Sequence, residues 1–526
     1  RITMPFQLSP GVAVVERDLS SIVPAVSTAI GAFAGTFPWG PVLEPTTVSS
    51  ENELVRRFGQ PNDSNFQSFF TAANFLAYTN NLLLVRLDTT GLKNAVSSGT
   101  AVKIKNNQSY LTSYANGEGN VGEFAARFPG TAGNSLLVSM ADSATFTGWD
   151  YENQFDGAPG TSTYADALGG SNDELHIIVV DQDGVFTGTP GTVLEKFAYV
   201  SKANDAKKYD GTNNYYKDVL NSRSQFVYWM DHTTGVESTG DAWGSAAAGK
   251  TFKDLSDPVT KSLTGGADDY AASDANIEAG FALFADAEQY DVSLIAMGKA
   301  KASVASWVIN NVAEVRKDCV VFVSPQDNSS GDIIIGTDAT AATAVITYRD
   351  NLPSTSYAVL DSGFKYQYDR YADKYRYVPL NGDVAGLCAR TDYTNDPWFS
   401  PGGLNRGQIK NVVKLAFNPN KALRDNLYKK GVNPVVTFPG EGTVLFGDKT
   451  LLATPSAFDR INVRRLFIVL EKAIATAAKF QLFEFNDGFT RAQFKAIVEP
   501  FLRDVQGRRG ITDFVVKCDE SNNTGE

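Results

Sequence analysis

The sequence contains 526 residues, more than a single hydrophobic core usually accommodates, and this length favours about two to four domains. Hydrophobic residues make up 43% and charged residues 20%, which excludes wholesale disorder and a fibrous repeat. The formal net charge of −12 argues against a protein whose main partner is nucleic acid, because phosphate binding requires clustered Lys and Arg.

Cysteine usage and hydropathy argue against four further classes of protein. Cys319, Cys388 and Cys518 are isolated and form no CxxC pair, which argues against a disulfide framework and against a cysteine-based zinc site. No run of about 18 apolar residues occurs, and the first residues lack the pattern of a signal peptide. We therefore expect neither membrane insertion nor secretion by that route.

The chain opens with a segment that favours a strand, within residues 1–20. Pro10-Gly11 predicts a turn, and a β-branched run follows it. The apolar residues of this predicted strand-forming arm are Leu8, Val12, Val14, Val15 and Leu19.

The next elements predict a layer of strands and helices. Ala25–Ala34 and Leu82–Leu87 are typical of buried strands, and the phenylalanines of 66–76 recur at helical spacing between them. Residues 89–122 turn polar, which predicts a short loop or excursion.

The middle of the chain predicts two further strands and an excursion. Leu175–Val180 and Phe197–Val200 predict strands on either side of a turn at Asp181–Gly184. Asp231–Ala267 is rich in Gly, Ser, Thr and Ala and predicts a surface excursion.

A second alternation of helices and strands follows and predicts a sheet covered by helices. Helices are expected at Ile277–Ala287 and Ala302–Val315, and strands at Val292–Ala296 and Cys319–Val323. We assign residues 21–345 to an outer α/β domain.

The last third begins with Phe364–Tyr377, whose alternating tyrosines predict a hairpin with aromatic cross-strand pairs. Val463–Phe480 predicts a helix. Its apolar stripe should bury Leu466, Phe467, Leu470 and Ile474, and a basic set lies largely off that stripe, namely Arg464, Arg465, Lys472 and Lys479.

A second helix is expected at Arg491–Arg503, with Thr490 as its N-cap and Pro500 kinking or ending it. Ile511–Cys518 then predicts a closing strand. The fold class expected from these elements is mixed α/β and multidomain, with sheets covered by helices and a compact mixed α/β C-terminal domain.

A search for catalytic and metal-binding motifs assigns no residues. His176 lies in an apolar strand and His232 in a polar segment, and no GxSxG elbow accompanies either of them. Asp181–Gly184 lacks the later glutamate of a calcium loop, and no phosphate-binding glycine motif occurs. No catalytic, cofactor or metal site is predicted.

Several long blocks, in order along the chain, resemble the tail sheath proteins of contractile-tailed bacteriophages of the myovirus type. Six blocks lie in the last third, at Lys365–Asp369, Val378–Asp392, Trp398–Gln408, Leu445–Thr450, Phe458–Phe467 and Phe483–Arg491. Three further blocks lie near the N-terminus, at Leu8–Gly11, Phe37–Pro41 and Phe58–Pro61.

The resemblance implies a structural subunit, not an enzyme, that polymerises as a helical stack around a tail tube and contracts to drive the tube into the host. It implies a middle segment at 346–420 and an inner C-terminal sheath domain at 421–526. The arm would pack with the C-terminal domain or add a strand to a neighbour, and the basic set would face the tube. Implied partners are further copies, the tube, baseplate and tail terminator proteins. Neither direct nucleic-acid contact nor a cofactor is implied, and the location is the virion tail, assembled in the host bacterial cytoplasm.

Two departures from the family pattern change what we expect of the protruding domain and of self-association. The protruding domain that some relatives insert would be confined to residues 89–122, and the strand-forming extension beyond residue 524 is missing, truncated or otherwise, so we expect weak self-association. Two alternatives remain open, a sheath of a pyocin-like or type six secretion machine and a phage carbohydrate-processing enzyme with two opposed carboxylates. A capsid or receptor-binding protein is a third.

Overall fold

The computed structural model describes residues 27–117, 120–236 and 241–524. Helices and strands alternate through most of this part, as the mixed α/β prediction requires. The predicted arm residues Leu8, Val12, Val14, Val15 and Leu19 lie outside the described residues. The chain divides into a larger unit, Thr28–Arg464, and a smaller unit whose described residues are Ser27 and 465–524.

Eighteen strands occur in the described residues. They are β1 (Gly31–Gly35), β2 (Thr46–Val48), β3 (Leu82–Arg86), β4 (Phe124–Ala126), β5 (Leu136–Asp142), β6 (Glu174–Asp181), β7 (Thr192–Ser201), β8 (Val227–Trp229), β9 (Val259–Ser262), β10 (Leu294–Lys299), β11 (Val320–Ser324), β12 (Ala358–Asp361), β13 (Phe364–Asp369), β14 (Lys374–Pro379), β15 (Lys414–Leu415), β16 (Val432–Asn433), β17 (Val435–Phe438) and β18 (Gly442–Leu445).

The same residues contain thirteen α-helices. They are α1 (Glu51–Phe58), α2 (Phe66–Leu76), α3 (Asn107–Ser113), α4 (Thr163–Ala167), α5 (Tyr216–Arg223), α6 (Asp274–Ala282), α7 (Ala302–Val308), α8 (Glu314–Arg316), α9 (Ala339–Asp350), α10 (Asn381–Thr394), α11 (Lys421–Lys429), α12 (Ile461–Ala478) and α13 (Gly488–Gly507). A π-helical turn, Ile309–Ala313, joins α7 to α8.

A seven-stranded sheet forms the centre of the larger unit, in the order β16-β12-β11-β10-β1-β3-β2. Every pair in it is parallel except β2 with β3. All five residues of β11 are buried, as expected for a strand covered on both faces. The strands come from residues between 31 and 433, so the predicted domain borders after 345 and after 420 both fall within this one sheet.

Two helices pack against each other beside this sheet, α2 and α10. A Cβ atom added at Gly382 would lie 2.4 Å from the Thr71 carbonyl oxygen, and one added at Gly386 would lie 2.5 Å from the Tyr78 ring. The two glycines therefore allow the helix backbones to approach closely, which no larger residue would permit.

Two regions contribute to the interior against expectation: 89–122, predicted to be a loop or short excursion, and 231–267, predicted to be a surface excursion. Within 231–267, Phe252 and Leu263 are buried, and β9 joins the antiparallel sheet β7-β6-β5-β9. Within 89–122, Tyr110 is buried and its ring stacks on Tyr228 at 4.2 Å. Both predictions were wrong because the apolar residues are widely spaced in a polar background, and α3 and β9 are too short to show a clear helix or strand period.

The smaller unit contains a pair of helices, α12 and α13, joined by a core of Ala473, Ala477, Ile497 and Phe501. The helix predicted at Val463–Phe480 is confirmed within two residues at each end. Asp487, not Thr490, caps α13, because its side chain accepts a hydrogen bond from the Thr490 N–H. The helix also continues through Pro500 to Gly507.

The predicted closing strand at Ile511–Cys518 is not a strand in the structure. A strand needs a partner for its backbone groups, and no residue of the described ranges pairs with this segment in a ladder. The described residues of the smaller unit are consequently helical with connecting segments. The predicted C-terminal domain at 421–526 also includes β16, β17 and β18, so this region has the mixed α/β character expected of it.

Candidate functional site: an exposed assembly surface

The segment between α12 and α13 exposes an unusual number of aromatic rings. Residues 480–489 contain Phe480, Phe483, Phe485 and Phe489, whose relative exposures are 75%, 106%, 84% and 76%, and Leu482 is also exposed. We call residues 480–489 the aromatic segment. Exposed apolar surface of this extent usually marks a site of interaction with another protein.

Polar residues hold the aromatic segment in place. The Asn486 side-chain amide donates to the Thr524 carbonyl at 2.8 Å, and the Arg491 guanidinium donates to the Asn486 side-chain oxygen at 3.0 Å and to the Asn523 carbonyl at 3.2 Å. Phe483 adopts a φ of 70°, a left-handed conformation that is costly for an aromatic residue. The segment is thus anchored through its polar groups while its rings remain in solvent.

The carboxylate that begins α13 is stabilised in its charged form. The backbone N–H of Thr490 donates to Asp487 at 2.8 Å, and this bond holds the pKa of Asp487 below its usual range. Asp487 therefore stays ionised at neutral pH and fixes the point at which the aromatic segment ends.

The predicted basic set on α12 is not a uniformly solvated face. Arg464 and Arg465 are buried, Lys472 is half-buried with its amine 3.4 Å from the Ser27 carbonyl, and Lys479 is exposed. The Arg464 guanidinium donates to the Ser356 hydroxyl at 3.0 Å.

The Arg464 guanidinium also lies over the rings of Tyr357 and Phe458, at 4.3 and 4.2 Å. Burial of Arg464 and Arg465 corrects the expectation that this basic set lies off the buried face. For Arg464 the reason is that a guanidinium satisfied by a hydroxyl and two rings can be buried.

The apolar stripe of α12 is confirmed only in part. Leu466 and Leu470 are buried, whereas Ile474 is half-buried and Phe467 is 36% exposed. Ile468, Val469 and Ala473 are buried in addition, so the buried face is rotated from the predicted one.

The two histidines are parts of aromatic clusters. The His176 ring stacks on Phe155 at 4.2 Å, and its Nδ1 accepts from the Tyr199 N–H at 3.0 Å. His232 lies 2.6 Å from the Tyr216 hydroxyl. Burial lowers the pKa of both imidazoles, which favours their neutral forms.

The remaining sequence candidates also have structural partners. The Asp181 carboxylate accepts hydrogen bonds from Ser135, Val185, Phe186 and Thr187 at 2.7–3.0 Å, so a turn fills the position considered for calcium. Across the described ranges, no group of three or more His, Cys, Asp or Glu residues could hold a metal ion. No helix in those ranges has the length and hydropathy needed to cross a bilayer.

A buried polar centre lies at the carboxyl ends of the central strands, and we define it by Lys365, Asp383, Tyr78, Asp361 and Ser324. The Lys365 amine donates to Asp383 at 2.9 Å, and the Tyr78 hydroxyl donates to the same oxygen at 3.0 Å. The Ser324 hydroxyl donates to Asp361 at 2.7 Å. All five residues are buried.

Burial governs the electrostatics of this centre. It raises the pKa of Asp361 and of Asp383 and lowers the pKa of Lys365, because each charged form loses its hydration. Lys365 and Asp383 belong to the blocks that resemble sheath proteins, so these two block residues supply internal architecture.

Comparison with known folds defines the class of this protein. The fold is similar to that of a sheath tail protein from Listeria innocua, with a TM-score of 0.57, 12% identity and coverage of 94% of this chain and 87% of the other. It is also similar to a sheath tail protein from Desulfitobacterium hafniense, with a TM-score of 0.53, 11% identity and coverage of 96% and 91%. The architecture is therefore that of sheath proteins.

Sequence comparison identifies the family. Residues 266–451 match the phage tail sheath protein central domain, 453–526 the phage tail sheath C-terminal domain, and 28–87 the N-terminal region of domain III of the tail sheath protein Gp18. The tail sheath protein of Vibrio phage KVP40 is 34% identical, with 98% of this chain and 93% of the relative covered. That of Enterobacteria phage T4 is 31% identical, with coverage of 98% and 93%.

The chain therefore belongs to the tail sheath proteins of contractile phages. It is a structural subunit of a contractile tail sheath, as the sequence blocks predicted.

Proposed function

We propose that copies of this protein polymerise as a helical stack around a tail tube and, on contraction, drive the tube through the host envelope. The observation that carries the proposal is the aromatic segment of a chain in the tail sheath family. A chain that acted alone would gain nothing from four phenyl rings held in solvent, whereas a polymer buries them at each contact.

The energy for contraction would come from two alternative packings of the same subunits. A small free-energy difference per subunit, multiplied along the helix, moves the whole polymer without a catalytic step. On this proposal the protein is not an enzyme and needs no cofactor. The internal hydrogen bonds of the two histidines agree with that role.

The arm would link neighbouring copies during this rearrangement. Leu8, Val12, Val14, Val15 and Leu19 would add a strand to a neighbour, where each backbone hydrogen bond contributes about 0.5–1.5 kcal/mol. Ile511–Cys518 lies outside every helix and every ladder of the described residues. It is therefore our proposed acceptor of such a strand.

We assign contact with the tube to the exposed part of the basic set. Of the basic set, Arg464 and Arg465 are buried, which leaves Lys479 as the member best placed to meet an acidic tube surface. Further partners would be baseplate and tail terminator proteins at the two ends of the stack. Assembly would take place in the bacterial cytoplasm.

Electron microscopy of the protein co-expressed with the tube protein of the same phage tests the proposal. Because the tube is a template for subunits whose self-association alone is weak, we expect regular tubular sheaths around tubes. Closed shells, trimeric fibres or bare tubes beside unassembled protein would overturn it, and sustained hydrolysis of host polysaccharide would establish the enzymatic alternative.

A further inference from the structure

A second exposed aromatic surface lies on the larger unit. Strands β13 and β14 place Tyr366 opposite Tyr377 and Tyr368 opposite Tyr375, which puts four tyrosines on one face of the hairpin. Tyr368 and Tyr375 are 47% and 51% exposed. We call these four rings the tyrosine face.

The tyrosine face is a rigid, preformed surface. The rings of Tyr366 and Tyr375 stack at 5.5 Å, those of Tyr366 and Tyr377 lie 4.6 Å apart, and those of Tyr368 and Tyr375 lie 5.3 Å apart. The hairpin backbone is paired along six consecutive residue pairs. Such a surface loses little conformational freedom when a partner binds.

One cation borders the tyrosine face. Lys414 on β15 is exposed, and its amine lies 4.9 Å from the centre of the Tyr366 ring and 5.9 Å from that of Tyr377. Within the described part of the chain, no carboxylate lies in ion-pair range of this amine, so the charge is available to an acidic partner.

The aromatic segment has the complementary character. Its four phenylalanines expose most of their area, and at about 200 Å² for each ring they offer roughly 700 Å², close to one side of a stable protein interface. Glu484 lies between Phe483 and Phe485, is exposed, and has no basic partner among the described residues. Glu484 thus complements the Lys414 amine beside Tyr366 and Tyr377, at the edge of the tyrosine face away from Asp373, which accepts a hydrogen bond from the Tyr368 hydroxyl.

We propose that the aromatic segment of one copy docks on the tyrosine face of a second copy, with Glu484 beside Lys414. This inference rests on the proposed polymerisation and names one of its contacts. A homopolymer supplies the two surfaces in equal number, so every aromatic segment has a tyrosine face available. Phenyl and phenol rings pack favourably edge to face, and the ion pair fixes the register.

Charge reversal provides the first test, with assembled sheath as the readout. Glu484→Lys and Lys414→Glu should each raise the protein concentration needed for assembly by about tenfold or more, because like charges then meet. The double variant Glu484→Lys with Lys414→Glu should return it close to the wild-type value. Additive losses in the double variant would overturn the pairing.

Cross-linking between distinguishable copies provides the second test. In a Cys518→Ser background, copies carrying Phe485→Cys are mixed with copies carrying Tyr375→Cys and assembled with the tube protein. We expect a disulfide-linked pair containing one copy of each kind. Leu111→Cys, at a site of similar exposure, is the matched control in place of Tyr375→Cys and should give no pair.

The outcomes separate this inference from the proposed function. Sheaths that form normally without the mixed pair would overturn the docking while leaving polymerisation intact. A link that forms only when both cysteines are on one chain would also overturn it.

Discussion

Charged side chains usually lie at the surface and aromatic rings in the interior. The buried polar centre and the aromatic segment each depart from this rule, the first with buried charges and the second with exposed rings. The larger unit buries the charged pair Lys365 and Asp383, whereas the smaller unit leaves four phenylalanines in solvent. Buried charges are stable only with their own partners, so they specify one internal arrangement. Exposed rings gain stability when a second molecule covers them. On the proposed assembly, the buried polar centre is therefore completed within one chain, whereas the aromatic segment is completed by a second copy.

The largest expected effect is the loss of a charge partner inside the larger unit. Lys365→Met leaves the Asp383 carboxylate buried without its ammonium partner, and we expect the free energy of unfolding to fall by about 3–5 kcal/mol. Urea unfolding followed by circular dichroism measures it. Lys414→Met is the matched control at an exposed site and should change the stability of the free subunit by no more than about 0.5 kcal/mol. An equal loss of unfolding free energy in both variants would contradict the special role of the buried pair.

Helix packing offers a second contrast between the units. Gly382→Ala forces a Cβ atom against the Thr71 carbonyl between α10 and α2, and should cost about 1–3 kcal/mol. Gly507→Ala at the end of α13 meets nothing within 4 Å and should be neutral or slightly stabilising. Thermal denaturation of both variants checks that Gly382→Ala is the less stable of the two. A wild-type melting temperature for Gly382→Ala would contradict this prediction.

The pH dependence of stability tests the electrostatics of the centre. Burial raises the pKa of Asp361, so the folded chain keeps a proton that the unfolded chain releases above about pH 4. The free energy of unfolding should therefore decrease as pH rises from that point, by up to about 1.4 kcal/mol per unit. Asp361→Asn should flatten this slope. The exposed Asp257→Asn is the control, and an unchanged slope in Asp361→Asn would contradict the assignment.

Strong periodicity explains what the sequence predicted well. The phenylalanines of α2, the stripe of α12 and the alternating tyrosines of β13 and β14 each repeat at one spacing, and all three elements formed as predicted. The alternation of helices and strands between 277 and 323 likewise predicted the parallel strands β10 and β11. In these regions local pattern and tertiary packing agree.

Other features depend on distant partners that sequence periodicity does not reveal. Arg464 is buried because Ser356, Tyr357 and Phe458 surround its guanidinium, and only the last of these is near it in sequence. Ile511–Cys518 has the composition of a strand but no ladder partner in the described residues.

The aromatic segment has a sequence signal of its own, besides the resemblance of its block to the sheath family. Four phenylalanines within ten residues fit neither a helical nor a strand period, and that mismatch could have indicated a surface rather than a core.

The smallest expected effect concerns the backbone of the aromatic segment. Phe483→Asn places a residue that tolerates the left-handed conformation at a φ of 70°, and should leave the stability of the free subunit unchanged or raised by at most about 1 kcal/mol. Assembly should nevertheless weaken, because an exposed ring is lost. Chemical denaturation and sedimentation measured on the same sample separate the two effects. A variant that lost stability and still assembled fully would show that Phe483 serves the fold of the subunit and not assembly.

The central claim is that assembly covers the aromatic segment, and hydroxyl-radical footprinting of the unaltered protein tests it most directly. Labelling of Phe480, Phe483, Phe485 and Phe489 is compared between free subunits and assembled sheaths, with exposed Leu111 and Val185 as internal references. We expect labelling of the four phenylalanines to fall severalfold on assembly relative to those references. Equal labelling of the four rings in free subunits and in intact sheaths would contradict the claim.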